Sequence, residues 1–288
     1  MLYAATAIIG ASALIALTTL LAKSLGLGME GPQLHPLQIS AGRFFFAFLA
    51  ISLFSAFRRP SFKGAAWHLH LIRSICGWTG ISLLFAAVAR MPLADATAIT
   101  FLNPIVAMAL AIPLLAERVG PLRWLAAGIS LAGALVLIRP GTDAFQPAAL
   151  IALAAAAVMG VEIICIKILS RSEPPVRILL INNSFGALIS ITAACFVWTQ
   201  PNATQLLMLA ALGITMALAQ SLFIQAMKNA DASYVIPFSY STLIFAAFYD
   251  FMLFGQVPAA TSLLGAAIIV GGAVLLAWRE QRAQKSRV

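Results

Sequence analysis

The sequence predicts an all-α integral membrane protein of ten transmembrane helices, arranged as two inverted five-helix repeats. Three observations lead there. Of 288 residues, 62% are hydrophobic and only 9% are charged, whereas a soluble domain carries about a quarter charged residues. So little charge cannot cover so much apolar surface in a water-soluble globule. Apolar runs of roughly 20 residues, enough to span a hydrocarbon core of about 30 Å, then recur at 2–22, 37–57, 68–89, 94–116, 122–138, 147–168, 178–198, 204–227, 232–254 and 258–278. Lipid offers the backbone no hydrogen-bond partner, so each run is expected to be helical. Finally, the two halves resemble each other. At an offset of 139 positions WLAAGISLAGALVL (124–137) falls on LLGAAIIVGGAVLL (263–276), with six identities in fourteen. Five spans per half is an odd number, so the second half must enter the bilayer inverted. That arrangement marks secondary transporters.

The elements can be read in order. The first run has no charged segment before it and no obvious cleavage site, and is expected to stay as a helix rather than leave as a signal peptide. The second carries Arg43, and the third carries Arg73 and Trp78, with Ser82 one turn after the tryptophan. In the fourth, Thr97, Thr100 and Asn103 recur every three residues as a polar stripe. Pro104 follows, removing a backbone donor and freeing a carbonyl. The fifth is almost free of polar residues; Ala126/Ser130 and Gly128/Ala132 have the four-residue spacing that lets helices approach closely. Glu162 stands two-thirds along the sixth. Asn182 and Asn183 lie near the inner end of the seventh and are expected to meet water. Gln220 is in the eighth. The ninth has Pro237, then Ser239, Tyr240, Ser241 and Thr242, with Asp250 close to its end; the tenth repeats the small-residue spacing at Ala267/Gly271.

Basic residues orient the chain. With both termini in the cytoplasm, thirteen fall inside (among them Arg58, Arg59, Lys63, Arg118, Arg123 and the tail from Arg279), and Lys23, Arg90 and Arg139 fall outside. The net charge of +9 is scattered singly between apolar runs, without the basic patch and exposed aromatics of a nucleic-acid surface. Cys76, Cys165 and Cys195 lie within spans as small hydrophobes. His68 and His70 are two apart and diverge on a helix, a poor metal pair. Asn202-Ala203-Thr204 is a formal glycosylation sequon in a short loop. No metal, cofactor or enzymatic chemistry is expected.

Ionisable residues within a span are costly and therefore candidates for function. Glu162 reads as a partner for a substrate amine or as a proton-coupling carboxylate; a structural pair with Lys167 or Arg73 competes. Arg43 and Asp250, both near the outer surface, read as an outer gate or as side chains snorkelling to water, and Arg73 reads as snorkelling. Proline-interrupted helices in corresponding positions of two repeats point to a midplane binding site. Thr100, Asn103, Tyr240 and Ser241 are therefore candidate substrate contacts, with interhelical hydrogen bonding as their alternative. Gln220 reads as an amide donor to substrate. Trp78 reads as an aromatic wall or as lipid-facing packing. Pro104, Pro237 and Glu117 are expected to act as hinges, Glu117 falling opposite Gln256 in the repeat.

RFFFAF (43–48), RSICG (73–77) and the long segment from Met91 to Gly141 resemble the drug/metabolite transporter superfamily, specifically its ten-helix EamA-type carriers. Leu115 to Arg118 looks like that family's Leu-x-Glu-Arg hinge, and Arg139 to Gly141 like the Arg-Pro-Gly that closes its fifth helix. Gln256 departs from a second hinge glutamate. The resemblance implies two repeats, 1–141 and 142–288, the second ending in a short basic cytoplasmic tail. It also implies a bacterial-type inner membrane, a small-molecule substrate, and alternating access around a midplane cavity lined by spans 1, 3, 4, 6, 8 and 9. Coupled protons and a homodimer are further expectations. Carriers of this kind include exporters of amino acids and drugs and importers of riboflavin or S-adenosylmethionine. Amino acids or similar polar and aromatic solutes are the first reading, vitamin or cofactor uptake the second, and a membrane-embedded enzyme or a channel the rivals of another class.

Overall fold

The structure, a computed structural model, describes residues 2–56, 61–115, 120–139, 146–169, 172–229 and 239–285. The expected hinge residues Glu117 and Pro237 lie outside the described residues, as do Arg58, Arg59, Arg118, Pro140 and Gly141. Every regular element among the described residues is a helix: α1 (Leu2–Leu27), α2 (Pro36–Ala56), α3 (Trp67–Val88), α4 (Leu93–Thr100), α5 (Asn103–Leu115), α6 (Pro121–Ile138), α7 (Ala148–Leu169), α8 (Pro175–Ala194), α9 (Ala203–Asn229), α10 (Ser241–Phe254) and α11 (Ala260–Lys285), with one 3-10 turn after α8. Seven helical stretches are long and apolar enough to cross a membrane. They are Thr6–Leu27, Pro36–Ala56, Trp67–Val88, Leu93–Leu114, Ala148–Leu169, Pro175–Val197 and Ala203–Phe223. Three shorter apolar stretches, Ala127–Ile138, Ser241–Phe254 and Ala260–Gly272, fall on the expected fifth, ninth and tenth spans.

The fourth expected span is interrupted. α4 stops at Thr100, Phe101 and Leu102 turn, and α5 begins at Asn103. Pro104 has no N–H to give the Thr100 carbonyl, so one bond of a continuous helix is missing there. Three-residue bonds from Phe101 to Ala98 and from Leu102 to Ile99 carry the chain across the break.

Apolar side chains gain little by leaving lipid for one another, so helix contacts depend on how closely backbones can approach. α6 and α11 cross antiparallel, with the Ser130 hydroxyl donating to the Ile269 carbonyl at 3.1 Å. A Cβ at Gly133 would lie 2.7 Å from the Ile269 nitrogen and 2.8 Å from the Gly265 carbonyl. Ser130 and Gly133 thus supply the contact, whereas Gly128, Ala132, Ala267 and Gly271 are exposed on the outer faces of the pair. The other main neighbours are α3 with α7, α1 with α9, α2 with α8 and α9, α5 with α7, and α1 with α10.

Two loop residues hold helix ends. Glu173, between α7 and α8, accepts the Ala66 N–H at 2.9 Å and meets His70 Nε2 at 2.9 Å, fastening the start of α3. Asn202 accepts the Gln205 N–H at 2.8 Å while the Gln205 side chain accepts the Asn202 N–H at 3.2 Å. This reciprocal cap at the head of α9 engages the asparagine of the sequon.

Gly133→Ala is expected to push α6 from α11 and lower stability by about 1–3 kcal/mol, read as a fall in the thermal unfolding midpoint in detergent. A pH effect follows from Glu173. Burial opposes its ionisation, but the bonds from Ala66 and His70 and the attraction of His70 and Arg177 outweigh burial and hold the carboxyl below its ordinary value of 4.5. Its stabilisation is complete above that value and is lost as pH falls through the lower folded value. Glu173→Gln should flatten the acid side of the stability–pH profile.

Candidate functional site

Charged side chains inside the bundle form two groups. The first closes one end of α1, α4 and α10. Lys23, 3% exposed, meets Asp250, 2% exposed, at 2.5 Å. Its ammonium also donates to Gln256 Oε1 at 3.3 Å and lies 4.4 Å from the centre of the Phe254 ring. The second oxygen of Asp250 accepts the Leu93 N–H at 2.8 Å, satisfying one of the free donors at the start of α4. Asp95, in the first turn of α4, accepts the Ser262 hydroxyl at 3.1 Å. Asp95, Asp250, Arg139, Gln256 and Ser262 line a cavity of about 380 Å³ at this end.

The expected Arg43–Asp250 gate pair does not form, because Asp250 is already held by Lys23. The first apolar run was closed at residue 22, which put Lys23 in a loop. α1 continues to Leu27, so this lysine lies inside the helix, buried and in need of a counter-charge. The continuing Ser24-Leu25-Gly26-Leu27 was the available signal. Asp95, in the first turn of α4, is a further interior acid not singled out from the sequence, although it lies within the expected fourth span.

The second group joins α2, α3, α7 and α8. Arg73 Nη2 stands 3.7 Å from Glu162 Oε1, and Arg73 Nη1 donates to the Ile178 carbonyl at 3.4 Å. Arg73 is 4% exposed, so it pairs across the bundle instead of snorkelling. Gly77, one turn beyond Arg73, makes room for the acid, since a Cβ there would lie 2.9 Å from Glu162 Oε1. Arg43 is 5% exposed, interacts electrostatically with both Glu162 and Arg73, and lies 4.3 Å from the centre of the Phe44 ring. Asn182 and Asn183 are buried, not water-facing, because the packing of α8 on α2 and α3 covers them.

The remaining candidates separate. Thr97 and Thr100 donate to the Leu93 and Thr97 carbonyls, both at 2.7 Å, so those hydroxyl protons are engaged in their own helix. Tyr240 is buried and meets Phe101 edge to face, ring centres 5.1 Å apart, at the break between α4 and α5. Next to it the Ser239 carbonyl accepts the Ser12 hydroxyl at 3.3 Å. Ser241 opens α10 and Asn103 opens α5. Gln220 carries a buried amide oxygen with no partner among the described residues. Trp78 lines an apolar groove with Leu188, Thr192 and Phe196, its indole N–H buried without a partner among the described residues. No cluster of three metal-binding side chains occurs among the described residues.

Apolar membrane-length helices, an interrupted span and charges paired in the interior define a helical multi-pass membrane protein. The EamA-like transporter family matches residues 2–139 and, separately, 146–278. The chain belongs to that family. It is a multi-pass membrane transporter and not an enzyme. It is similar to an S-adenosylmethionine uptake transporter of Rickettsia bellii, 25% identical over 260 residues covering 90% of this chain and 89% of the relative. It is also similar to a riboflavin transporter of Vibrio cholerae, 31% identical over 236 residues covering 80% and 78%. A solved crystal structure at 22% identity superposes with a TM-score of 0.63 over 96% of this chain and 97% of the other, and shows the fold.

Asp250→Ala, which leaves Lys23 buried without a counter-charge, is expected to cost about 3–5 kcal/mol. The double variant Lys23→Met/Asp250→Leu should recover most of that loss, as thermal unfolding in detergent would register.

Proposed function

We propose that the chain is an uptake carrier for a vitamin- or cofactor-sized solute of the S-adenosylmethionine or riboflavin kind, working by alternating access between two inverted five-helix repeats, 1–141 and 142–288. One observation carries the substrate reading. The relatives with these printed activities align along most of both chains, which favours cofactor-type solutes over simple amino acids.

Helix pairing supports the repeat. Exchange α1 with α7, α2 with α8, α3 with α9, α4/α5 with α10 and α6 with α11. The contact of α3 with α7 then becomes that of α9 with α1, and that of α2 with α9 becomes that of α8 with α3. The α2–α8 and α6–α11 pairs map onto themselves. Ser130 and Ile269, 139 positions apart like the matched segments, touch where α6 and α11 cross, as equivalent residues do at a two-fold axis between antiparallel helices.

In this reading both termini are cytoplasmic, from the distribution of basic residues, and the membrane is the bacterial inner one. The Lys23–Asp250 pair seals the outer end and opens when the repeats rock. Pro104, Pro237 and Glu117 act as the hinges that absorb the motion. Glu162, whose side chain is 20% exposed, is the carboxylate that takes the solute's amine or a coupled proton; Gln220, Asn103, Tyr240, Ser241, Thr100 and Trp78 supply the remaining contacts.

Uptake into proteoliposomes should be saturable for labelled S-adenosylmethionine or riboflavin and weak for simple amino acids. Glu162→Gln should cut the rate by about tenfold or more and abolish any response to an imposed pH gradient. Unchanged transport and pH response in that variant would remove Glu162 from the mechanism.

A further inference from the structure

We infer that Arg43, assisted by Arg73, is the seat for a carboxylate on the transported solute, so that the carrier takes a solute with one carboxylate in preference to an uncharged flavin or a phosphate ester. This rests on the carrier reading above and narrows its substrate.

The argument begins with a charge count. Two guanidinium groups and one carboxylate stand within electrostatic reach of one another in the bundle interior. Glu162 is the partner of Arg73, at 3.7 Å, and Arg73 also has the Ile178 carbonyl. Arg43 has no such anion. Its Nε and Nη1 are buried with no hydrogen-bond partner among the described residues, and the residue is only 5% exposed. An arginine cannot shed its proton in a protein. A buried, unpaired cation is strongly unfavourable, and the face of the Phe44 ring offsets only a small part of that cost.

What the cluster lacks is one negative charge against the Arg43 guanidinium. Nε–H and Nη1 face different edges of that plane, each edge shared with Nη2, and a carboxylate seats on one such edge. A phosphate monoester fits less well, since its second negative charge would face Glu162. An uncharged ring leaves Arg43 as it is. Glu162, which interacts electrostatically with Arg43, would receive an ammonium carried by the same solute. Glu162 is also the member of the cluster that reaches accessible surface, giving a ligand a way to the arginines.

The test is ligand binding to purified full-length protein in detergent, with S-adenosylmethionine, its decarboxylated analogue and riboflavin as probes. S-adenosylmethionine should bind about 10- to 100-fold more tightly than the decarboxylated analogue. Arg43→Gln should remove that difference by weakening only the carboxylate-bearing probe, and Arg43→Lys should restore part of it. Because Arg43→Gln removes an unpaired buried charge, it should unfold at no lower temperature than the parent. Equal affinity for the two analogues, or equal weakening of both by Arg43→Gln, overturns the inference. Tight riboflavin binding without S-adenosylmethionine binding overturns it too, while the carrier reading stands. Should none of the three bind or be taken up, the cofactor-uptake reading fails. The seat is then judged by thermal unfolding with L-methionine against L-methionine amide, where no preferential stabilisation by the carboxylate overturns it.

Discussion

Lys23 and Asp250 are almost wholly shut off from solvent inside the bundle, so each takes its partner from another helix, and that requirement ties the fold together. Lys23 on α1 needs Asp250 on α10, and Asp250 in turn takes the first free N–H of α4. Three helices distant in sequence are therefore joined at one buried carboxylate. In a soluble protein each of these groups would have the option of turning outward. Here the alternatives are lipid or an unpaired charge in low dielectric, both strongly unfavourable.

The same constraint acts on the backbone. Helices satisfy their own hydrogen bonds, so an interruption is tolerated only where protein surrounds it. The break between α4 and α5 meets that condition: Tyr240 packs on Phe101 beside it, and α7 lies along both half-helices. Close packing and charge pairing also work together. Without the missing side chain at Gly77, the Glu162 carboxylate could not lie against α3 one turn from Arg73. The glycine and the arginine, four residues apart on one helix face, form a single device.

Family membership and site chemistry answer different questions. The EamA-like match covers both halves and makes the chain a transporter, a property shared by proteins that carry unlike solutes. On the reading proposed above, discrimination among solutes falls to a few interior groups. Of these, the Arg43–Arg73–Glu162 cluster has the most definite chemistry, because its charges do not balance within the described residues and its geometry is held by three separate helices.

The sequence by itself determined the class. Composition and the recurrence of apolar runs depend only on the thickness of the bilayer and the needs of a backbone in lipid, and both can be read residue by residue. The break at Pro104 was legible for the same local reason. It also singled out Glu162, Arg43, Arg73 and Asp250 as ionisable residues that are costly within a span. Only the tertiary structure decided who the partners are. Asp250 took Lys23 rather than Arg43, Arg73 turned to Glu162 rather than to water, and Asn182 and Asn183 were covered by neighbouring helices. Those outcomes depend on which helix faces meet and at what depth, and a few residues' error in a helix end, as at Lys23, moves a side chain from the surface into the interior. Pairing in a membrane is a long-range choice among a few scarce charges, and local pattern carries no record of it.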